Sequence, residues 1–425
     1  MDAPPADYRP LHGGYMTPCD VVLEATGLDG PITLATTDTA VGTRIALGLP
    51  TDRPVVATGH QPALHHGGLV AKDMAASLLA ERCGGVAAHL MLDTAQDPVF
   101  GVEVPASVDG RWTARPAIIA QESSHPLWRR SPAHITAGGA IDIHVSDAAN
   151  AITQAESLLR WQWKRISLEP FMLRASSLLN TLGGTYLLDA MRSNPHDCAR
   201  TLSHALEVER IIDMRRPETG DDPQLPLWVS EREHGTTRRM ARASDLDHDG
   251  LVLEPRAVLT SALMRMFVCD RFIHGTGGGR YDRATTCWLR DWLDVDPPPP
   301  AVVTAHVRID ADAWLHADHA VAEARAALRR ARHDLDTGAP SPAKAAMLGS
   351  IQAAPEGSAQ RHAAFQAMHA QLRLDAPHRQ RAAEVALEAA IEQAQILRRR
   401  DWPLVGLPEE RTAALWETVS DTVSQ

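Results

Sequence analysis

The chain of 425 residues predicts an α/β fold, and three stretches of the sequence support that prediction. Residues 55–92 read as a buried strand, a glycine-rich bend, a helix and a second strand, which is the pattern of a βαβ unit with a parallel crossover. Residues 272–282 repeat this order, because a strand ends in a four-glycine loop that leads into a helix. From residue 317 onward, apolar residues spaced three and four apart are typical of packed helices.

The first bend has the composition of an anion-binding site. Val55 to Ala57 supply a buried strand end, and the helix predicted from Leu69 to Arg82 directs its positive end back at the bend. The glycines let backbone N–H groups approach a ligand, and the histidines add donors for a phosphate or a developing oxyanion. The residues predicted here to bind a nucleotide or to act in catalysis are Gly59, His60, Gln61, His65, His66, Gly67, Gly68 and Lys72.

The same bend is also compatible with a plain structural turn. It matches neither the dinucleotide fingerprint nor the P-loop, and strand–bend–helix connections are common in α/β proteins. Three histidines in seven positions favour a site. Lysine occurs only at Lys72, Lys164 and Lys344, so Lys72 stands where arginine is the usual basic residue, and its ammonium could reach a phosphate.

Composition narrows the class of protein. Hydrophobic residues make up 44% of the chain and charged residues 22%, as in globular proteins that are soluble. The net charge of −11 disfavours a general nucleic-acid or membrane surface. No signal-like start or membrane-length apolar run is found, so we expect a cytoplasmic protein. Five cysteines without a Cys-x-x-Cys pair predict reduced thiols and no zinc ribbon.

The elements between the two bends are predicted in order. The strand from Val86 to Leu92 is followed by Asp93 and Asp97, at the sheet edge where ligands of open α/β folds bind. Prolines break residues 100–146 into an irregular segment, whereas residues 147–215 have helical periodicity. Residues 100–215 therefore read as an insert.

The second bend follows two further strands and an apolar helix. Leu225 to Val229 and Gly250 to Leu253 have strand character, the Arg-rich stretch between them reads as a solvated hairpin, and a helix is predicted from Val258 to Cys269. Because strand ends of one sheet face a common crevice, we predict that the two bends converge. The sequence is equally compatible with a structural role for Arg280 and Asp282, in which they cap the helix and form an ion pair at the surface. The candidate residues of this region are Arg256, His274, Gly275, Thr276, Gly277, Gly278, Arg280, Tyr281 and Asp282.

The C-terminal third predicts a helical hairpin. After the stiff spacer Pro297 to Pro300, a strand is predicted from Ala301 to Ile309. A heptad seam runs from Ala317 to Leu335, a Gly- and Pro-rich break spans residues 338–357, and the return helix is interrupted near Pro377. This hairpin is expected to pack on itself or on a second protomer.

The two bends and the hairpin together resemble the bacillithiol-biosynthesis cysteine-adding enzyme family, and more closely a branch of it whose bend reads Gly-His-Gln-Pro. The match rests on residues 58–62 and Lys72, on Glu254-Pro255-Arg256, on the loop from His274 to Asp282, and on the strand and coiled coil that follow. The resemblance implies a Rossmann-like nucleotidyl-transferase core of the class I synthetase type with connecting-peptide insertions, ATP with magnesium, and a homodimer. The implied domains are a core at 1–310 with an insert at about 100–215, an antiparallel coiled coil at 311–400, and a tail at 401–425 that packs on the core.

The sequence also departs from the family. Members that add cysteine usually have Gln at the position of His60, an acidic run richer than the segment from Asp93 to Asp97, and Gly-Pro-Gly-Glu in place of Gly277 to Arg280. These positions lie in the predicted crevice. Cysteine and the glucosaminyl acceptor are therefore not carried over as substrates.

Three functional hypotheses follow. The first is an ATP-dependent ligase that joins an amino acid or other carboxylate to an amine through an adenylate, in small-molecule or thiol biosynthesis. The second is a metal-dependent hydrolase that uses His60, His65 and His66, although the spacing fits no known zinc signature. The third is a non-catalytic nucleotide-binding scaffold.

The ligase hypothesis gives each candidate a role. The resemblance places the histidine-bearing bend at the nucleotide phosphates, and neutral pH suits histidine as an acid or base. No metal site formed only by protein side chains is predicted. No nucleic acid or membrane partner is expected. The roles are phosphate contacts for His60, His66 and Lys72, acid or base for His274, an amino group or magnesium for Asp93 or Asp97, and a substrate carboxylate for Arg256 or Arg280.

Overall fold

The computed structural model describes residues 8–10, 16–61, 65–94, 102–118, 151–231, 238–333 and 340–425. The chain divides into two compact units. The larger unit contains residues 21–104, 115–307 and 400–425, and the smaller unit contains residues 1–20, 105–114 and 308–399.

The described residues form strands and helices that alternate along most of the chain. The strands are β1 (Tyr8–Pro10), β2 (Met16–Pro18), β3 (Val21–Thr26), β4 (Val55–His60), β5 (Val86–Met91), β6 (Val102–Val108), β7 (Arg111–Ile118), β8 (Phe171–Arg174), β9 (Gln224–Glu231), β10 (Arg239–Arg242), β11 (Leu251–Pro255), β12 (Arg271–His274) and β13 (Ala301–Val307). The helices are α1 (Asp38–Ala46), α2 (Gly67–Arg82), α3 (Ala151–Arg165), α4 (Leu182–Ser193), α5 (Pro195–Val208), α6 (Ala257–Leu263), α7 (Thr276–Leu293), α8 (Ala311–Arg332), α9 (Pro342–Ala353), α10 (Ala359–Arg398) and α11 (Glu409–Ser424).

A six-stranded sheet forms the centre of the larger unit, in the order β3-β13-β12-β4-β5-β8. Neighbouring strands from β13 to β8 run parallel, and only β3 pairs antiparallel, with β13. Val55, Val56 and Ala57 of β4 are fully buried, as expected for a parallel strand covered on both faces. This mostly parallel sheet confirms the predicted α/β class.

The two crossovers next to the centre of the sheet diverge. The chain leaves β4 through α2 and returns in β5, whereas it leaves β12 through α7 and returns on the opposite side, in β13. β4 and β12 are neighbours, so a topological switch point lies between them. In open α/β sheets ligands bind outside the carboxyl ends of the strands at such a point.

Glycine at the start of α2 allows the helix to lie close to the sheet. A Cβ at Gly67 would be 2.3 Å from Val307 Cγ2, and a Cβ at Gly68 would be 2.8 Å from the Ala305 carbonyl oxygen. Both contacts are with β13. Close packing is therefore one reason for the glycine pair in the first bend.

A second, smaller sheet of the larger unit has the order β10-β9-β11 and is antiparallel. It contains both strands predicted between residues 225 and 253. Of the Arg-rich stretch, residues 232–237 lie outside the described residues. Arg239 forms an ion pair with Asp245 at 2.6 Å, and Arg242 pairs with Glu218 at 2.8 Å.

The segment predicted to be irregular between residues 100 and 146 contains a hairpin, β6–β7, so that prediction was wrong for its first part. Asp109 and Gly110 connect the strands with φ of 50° and 75°, the backbone of a tight primed turn. Pro105 and Pro116 are tolerated because both strands of a two-stranded sheet are edges. Residues 119–150 lie outside the described residues.

In the smaller unit, α8 packs on α10 through Ala317, Val321, Ala394 and Leu397. The break predicted at residues 338–357 contains α9, which Ser341 caps and Pro342 begins. α9 packs on α10 through a cluster that includes Ile351 and Met368. Residues 334–339 are outside the described part of the chain.

α10 continues through Pro377, so the predicted interruption was wrong. A proline inside a helix costs about 3 kcal/mol, because it removes a hydrogen bond and its ring clashes with the preceding turn. Met368, before the proline, packs on α9, whereas Leu397, after it, packs on α8. Each half of α10 is therefore held by its own partner, and tertiary packing outweighs the local cost.

The C-terminal helix α11 belongs to the larger unit and packs against α2 and β3. Leu415, Val419 and Val423 form its buried face. Arg82, at the end of α2, donates hydrogen bonds to the carbonyl oxygens of Val423 and Leu28. Among the described helices, none combines the length and apolarity that a membrane crossing requires.

Candidate functional site

Both bends line one cavity of about 490 Å³ in the larger unit. The cavity lies at the carboxyl ends of β4, β5 and β12, which is the switch point of the sheet. The predicted site residues that line it are Gly59, His60, Gln61, His66, Gly68, Lys72, His274, Gly275, Thr276, Gly277, Gly278, Tyr281 and Asp282. The two stretches, far apart in sequence, thus share a pocket of the size that small-molecule sites have.

The amino-terminal end of α7 opens into this cavity without a side-chain cap. Gly275 is the N-cap residue, and no side chain accepts from the first turn. A Cβ at Gly278 or at Gly279 would lie 2.5 Å from His274 Nδ1 or from Val302 Cγ2. At Gly277, by contrast, a Cβ would meet nothing within 4 Å. Since a helical glycine costs about 1 kcal/mol relative to alanine, the protein fold gives no reason for Gly277, whereas a ligand against the backbone does.

The start of α2 is already capped by a histidine. His66 Nδ1 accepts a hydrogen bond from the Gly68 N–H at 3.1 Å. Burial, and next the neighbouring His65, lower the pKa of His66 to about 4. The ring is therefore neutral at pH 7 with its proton on Nε2, and it can donate one hydrogen bond.

His60 has the opposite tautomer. Its Nδ1 lies 3.2 Å from the carbonyl oxygen of Gln61. A carbonyl only accepts, so Nδ1 carries the proton of the neutral ring. Burial, followed by the charges of His65 and Lys72, lowers the pKa of His60 to about 2.

Lys72 connects the two bends. Its side chain is 3% exposed, its Nζ donates to the Gly59 carbonyl at 3.0 Å, and its Cδ is 3.9 Å from the position of a Cβ at Gly275. Burial lowers the pKa of Lys72 to about 8, and the nearby Asp73 partly opposes that effect. Most of the population is therefore cationic at pH 7, next to the open end of α7.

Asp282 and His274 both line the cavity and lie next to each other. Asp282 Oδ2 lies 2.8 Å from Arg265 and 3.5 Å from His274 Nε2, and the Ser261 hydroxyl donates to Oδ1. Burial acts to raise the pKa of Asp282, but His274, Arg265 and Ser261 together lower it. The carboxylate is thus ionised at neutral pH.

The two ring nitrogens of His274 face Asp282 and Gly278. The predicted role of His274 as an acid or base requires a nitrogen that points at the reacting atoms. This orientation gives His274 a positioning contact with Asp282 instead. Arg265 and Ser261, which hold Asp282, were not predicted as site residues.

His65 does not line the cavity, in contrast to the prediction. Its side chain is fully buried, and its Nδ1 lies 3.2 Å from Asp73 Oδ2. Asp73 also accepts from His89 Nδ1 at 2.8 Å and from Trp163 Nε1 at 3.1 Å. Burial favours a raised pKa for Asp73, but His89 and His65 lower it well below its usual range.

Asp73 was not predicted, although it directly follows Lys72 in the sequence. The available signal is a lone carboxylate among the apolar residues Val70, Ala71, Met74 and Ala75 of α2, all fully buried. Such a carboxylate needs partners from other elements. Here they come from the bend, from β5 and from α3.

Other predicted residues also lie away from the cavity. Gly67 packs on Val307, and Asp93 accepts from the backbone and hydroxyl of Ser176, and neither lines the cavity. Arg256 stacks over Trp228 at 5.0 Å and donates to the Arg215 carbonyl, while burial lowers its pKa to about 10. Arg280 is exposed outside the cavity, and Asp97 lies outside the described residues.

The three histidines of the bend do not converge as metal ligands. His65 is turned to Asp73, and His66 Nδ1 is used to cap α2. Across the described ranges, no group of three or more His, Cys, Asp or Glu side chains is arranged to hold a metal ion. The geometry of the bend therefore does not favour the hydrolase hypothesis.

No model of a known protein family matches the chain, and no curated protein matches it. The resemblance of the two bends to the cysteine-adding enzymes stays a prediction.

Proposed function

We propose that the protein is an ATP-dependent ligase-like enzyme that joins an amino acid or other carboxylate to an amine. The observation that carries this proposal is the cavity at the switch point, where the uncapped end of α7 meets the buried ammonium of Lys72. Backbone N–H groups at a helix start, combined with a cation, are suited to phosphate oxygens.

The cavity fits the phosphates of a nucleotide in two further respects. Gly277 leaves space beside the backbone where a side chain would stand. His66 can donate from Nε2, because its Nδ1 already accepts from Gly68. These donors are fixed before a ligand binds, so they can stabilise negative charge that develops on the phosphates without reorganisation.

The reaction that we propose has two steps. A carboxylate oxygen bonds to the α-phosphorus of ATP as pyrophosphate leaves, and an amine then forms the C–N bond as AMP and a proton leave. In this scheme Lys72, His66 and the start of α7 hold the phosphates. Magnesium would bind to the phosphates of the nucleotide, because the Asp93 carboxylate already accepts a hydrogen bond from Ser176.

Asp282 is the candidate for binding the amino group. It is ionised and lines the cavity, although its side chain is fully buried and already pairs with Arg265 and Ser261. An ionised carboxylate attracts an ammonium group, so Asp282 takes the role that the sequence assigned to Asp93 or Asp97.

We also propose, from the resemblance, a Rossmann-like nucleotidyl-transferase core, a coiled coil formed by the helical hairpin of residues 311–400, and a homodimer. The parallel sheet with diverging crossovers is consistent with the first. The packing of α8 on α10 supports the second.

ATP–pyrophosphate exchange across a panel of amino acids and other carboxylates tests the proposal. We expect exchange with at least one substrate, and its loss in Lys72→Met. Lys164→Met is the matched control, because Lys164 is an exposed lysine in α3. Absence of exchange with every substrate, together with unchanged ATP binding in Lys72→Met, would contradict the proposal.

A non-catalytic nucleotide-binding protein is the second candidate. The contacts of His274 favour it, because Nε2 lies 3.5 Å from Asp282 and Nδ1 lies against Gly278. This candidate predicts ATP binding that depends on Lys72 without any exchange. Exchange with one carboxylate is enough to exclude it.

A further inference from the structure

We propose that His60 presents an unprotonated Nε2 to the cavity and accepts a hydrogen bond there from the amine substrate, instead of donating one to a phosphate. This inference rests on the proposed function, and it changes the role that the bend was predicted to have. It identifies the part of the cavity that receives the second substrate.

The tautomer of His60 follows from one contact. Nδ1 lies 3.2 Å from the carbonyl oxygen of Gln61, which has no hydrogen to donate. Nδ1 must therefore carry a proton. In a neutral ring this leaves Nε2 with a lone pair and no hydrogen.

The surroundings of His60 keep the ring neutral. Burial disfavours the imidazolium, and His65 and Lys72 oppose a further positive charge, so that the pKa falls to about 2. The His65 ring lies edge-on to His60, with 5.7 Å between the centroids. A second proton on Nε2, which a phosphate contact would need, is thus disfavoured by the neighbours of His60.

The hydrogen-bonding groups of the cavity are divided accordingly. Lys72, His66 and the start of α7 are donors and suit an anion. His60 lines the same cavity as an acceptor and suits an N–H group. An amine that donates one N–H to His60 keeps its nitrogen lone pair for attack on the acyl carbon, so this contact orients the nucleophile.

Two measurements test the proposal: the first determines the tautomer of His60, and the second decides whether the donor comes from the amine or from the nucleotide. The first is NMR of the full-length protein labelled with ¹⁵N-histidine, with His60→Gln used to assign the resonances. We expect a proton on Nδ1 and none on Nε2 at pH 7 and at pH 5, both without ligand and with ATP. A proton on Nε2 in either state would overturn the proposal, whether or not the protein is a ligase.

The second measurement uses hydroxylamine as the amine probe, with two variants of similar size. His60→Gln places an acceptor near the position of Nε2, whereas His60→Met has no polar group there. We expect the KM for hydroxylamine to rise about tenfold in His60→Met and to stay within about threefold in His60→Gln, the change that one lost hydrogen bond produces. The Kd for ATP should be unchanged in both variants.

A tenfold loss of ATP affinity in His60→Met would assign the contact to the nucleotide and contradict the proposal. An equal loss of hydroxylamine turnover in both variants would contradict it as well. If no carboxylate supports exchange, the ligase function fails, and the NMR experiment still decides the tautomer of His60.

Discussion

Gly277 and Gly349 are both helical glycines at which a Cβ would meet nothing within 4 Å, but only Gly277 lines the cavity. Comparing the two positions therefore separates the effect of a glycine on stability from its effect on ligand binding. At Gly349, in α9, alanine should raise stability by up to about 1 kcal/mol through helix propensity alone. At Gly277, the added methyl group would occupy the space next to the open N–H groups.

We therefore expect Gly277→Ala to fold with an unchanged or higher Tm and to lose ATP binding by tenfold or more. Gly349→Ala should keep wild-type ATP affinity. Thermal unfolding and calorimetric titration with ATP measure both effects. Wild-type ATP affinity in Gly277→Ala would show that the start of α7 is not the phosphate site.

The pKa of Lys72 makes a second prediction at the scale of a residue. Burial lowers that pKa to about 8, so the ammonium loses its proton as the pH rises through this value. ATP affinity should fall between pH 7 and pH 9 in the wild-type protein. Lys72→Arg should not show this fall, because a guanidinium stays protonated throughout the range. Identical pH profiles of ATP affinity for the two proteins would show that Lys72 does not contact the bound nucleotide.

At the scale of elements, Asp73 joins three parts of the larger unit. It accepts from His65 in the bend, from His89 in β5 and from Trp163 in α3. The bend that carries His66 is therefore held by a carboxylate that does not line the cavity. The network also explains why one of the three neighbouring histidines points away from the cavity.

Asp73→Asn should destabilise the protein by about 1–3 kcal/mol, because an amide has one acceptor oxygen where the carboxylate has two and leaves a buried donor unpaired. The pKa of Asp73 is lowered in the folded state, so its stabilising contribution is present above the unfolded value of about 4 and is lost as the pH falls below it. The wild-type advantage in urea unfolding should thus be full at pH 7 and shrink below pH 4. An advantage that is constant over this range would argue against the ionised network.

Local sequence patterns of apolar residues, glycine and proline explain which helices and strands could be predicted. Short buried apolar runs and the glycine bends identified β4, α2, β5, β12 and α7 within a few residues. The β6–β7 hairpin was overlooked because its prolines dominated the pattern, although Asp109-Gly110 is a strong turn signal. The continuity of α10 through Pro377 could not be predicted, since it depends on packing against α9 and α8.

At the scale of the whole molecule, the smaller unit exposes apolar side chains on its longest helix. Phe365, Leu374 and Val385 of α10 are 49%, 72% and 53% exposed. Exposed apolar residues on a long helix are consistent with the homodimer that the resemblance implies.

We expect Leu374→Glu combined with Val385→Glu to convert a dimer into a monomer that still binds ATP, since the cavity lies in the other unit. Ile212→Glu is the control, because Ile212 is 85% exposed in the larger unit. Analytical ultracentrifugation over a range of concentrations measures the outcome. A wild-type protein that is monomeric throughout would contradict the dimer.

The α/β class, the positions of both glycine bends and the long C-terminal helices could be predicted, because strand burial, glycine and helical periodicity are local properties of the chain. Which of the candidate residues meet in the cavity depends on tertiary packing. His65 and His66 are adjacent in sequence, but one binds Asp73 and the other caps α2 at the cavity. The direction of a side chain and the proton on a ring nitrogen depend on partners that folding brings from distant segments, and these partners are not encoded in local spacing.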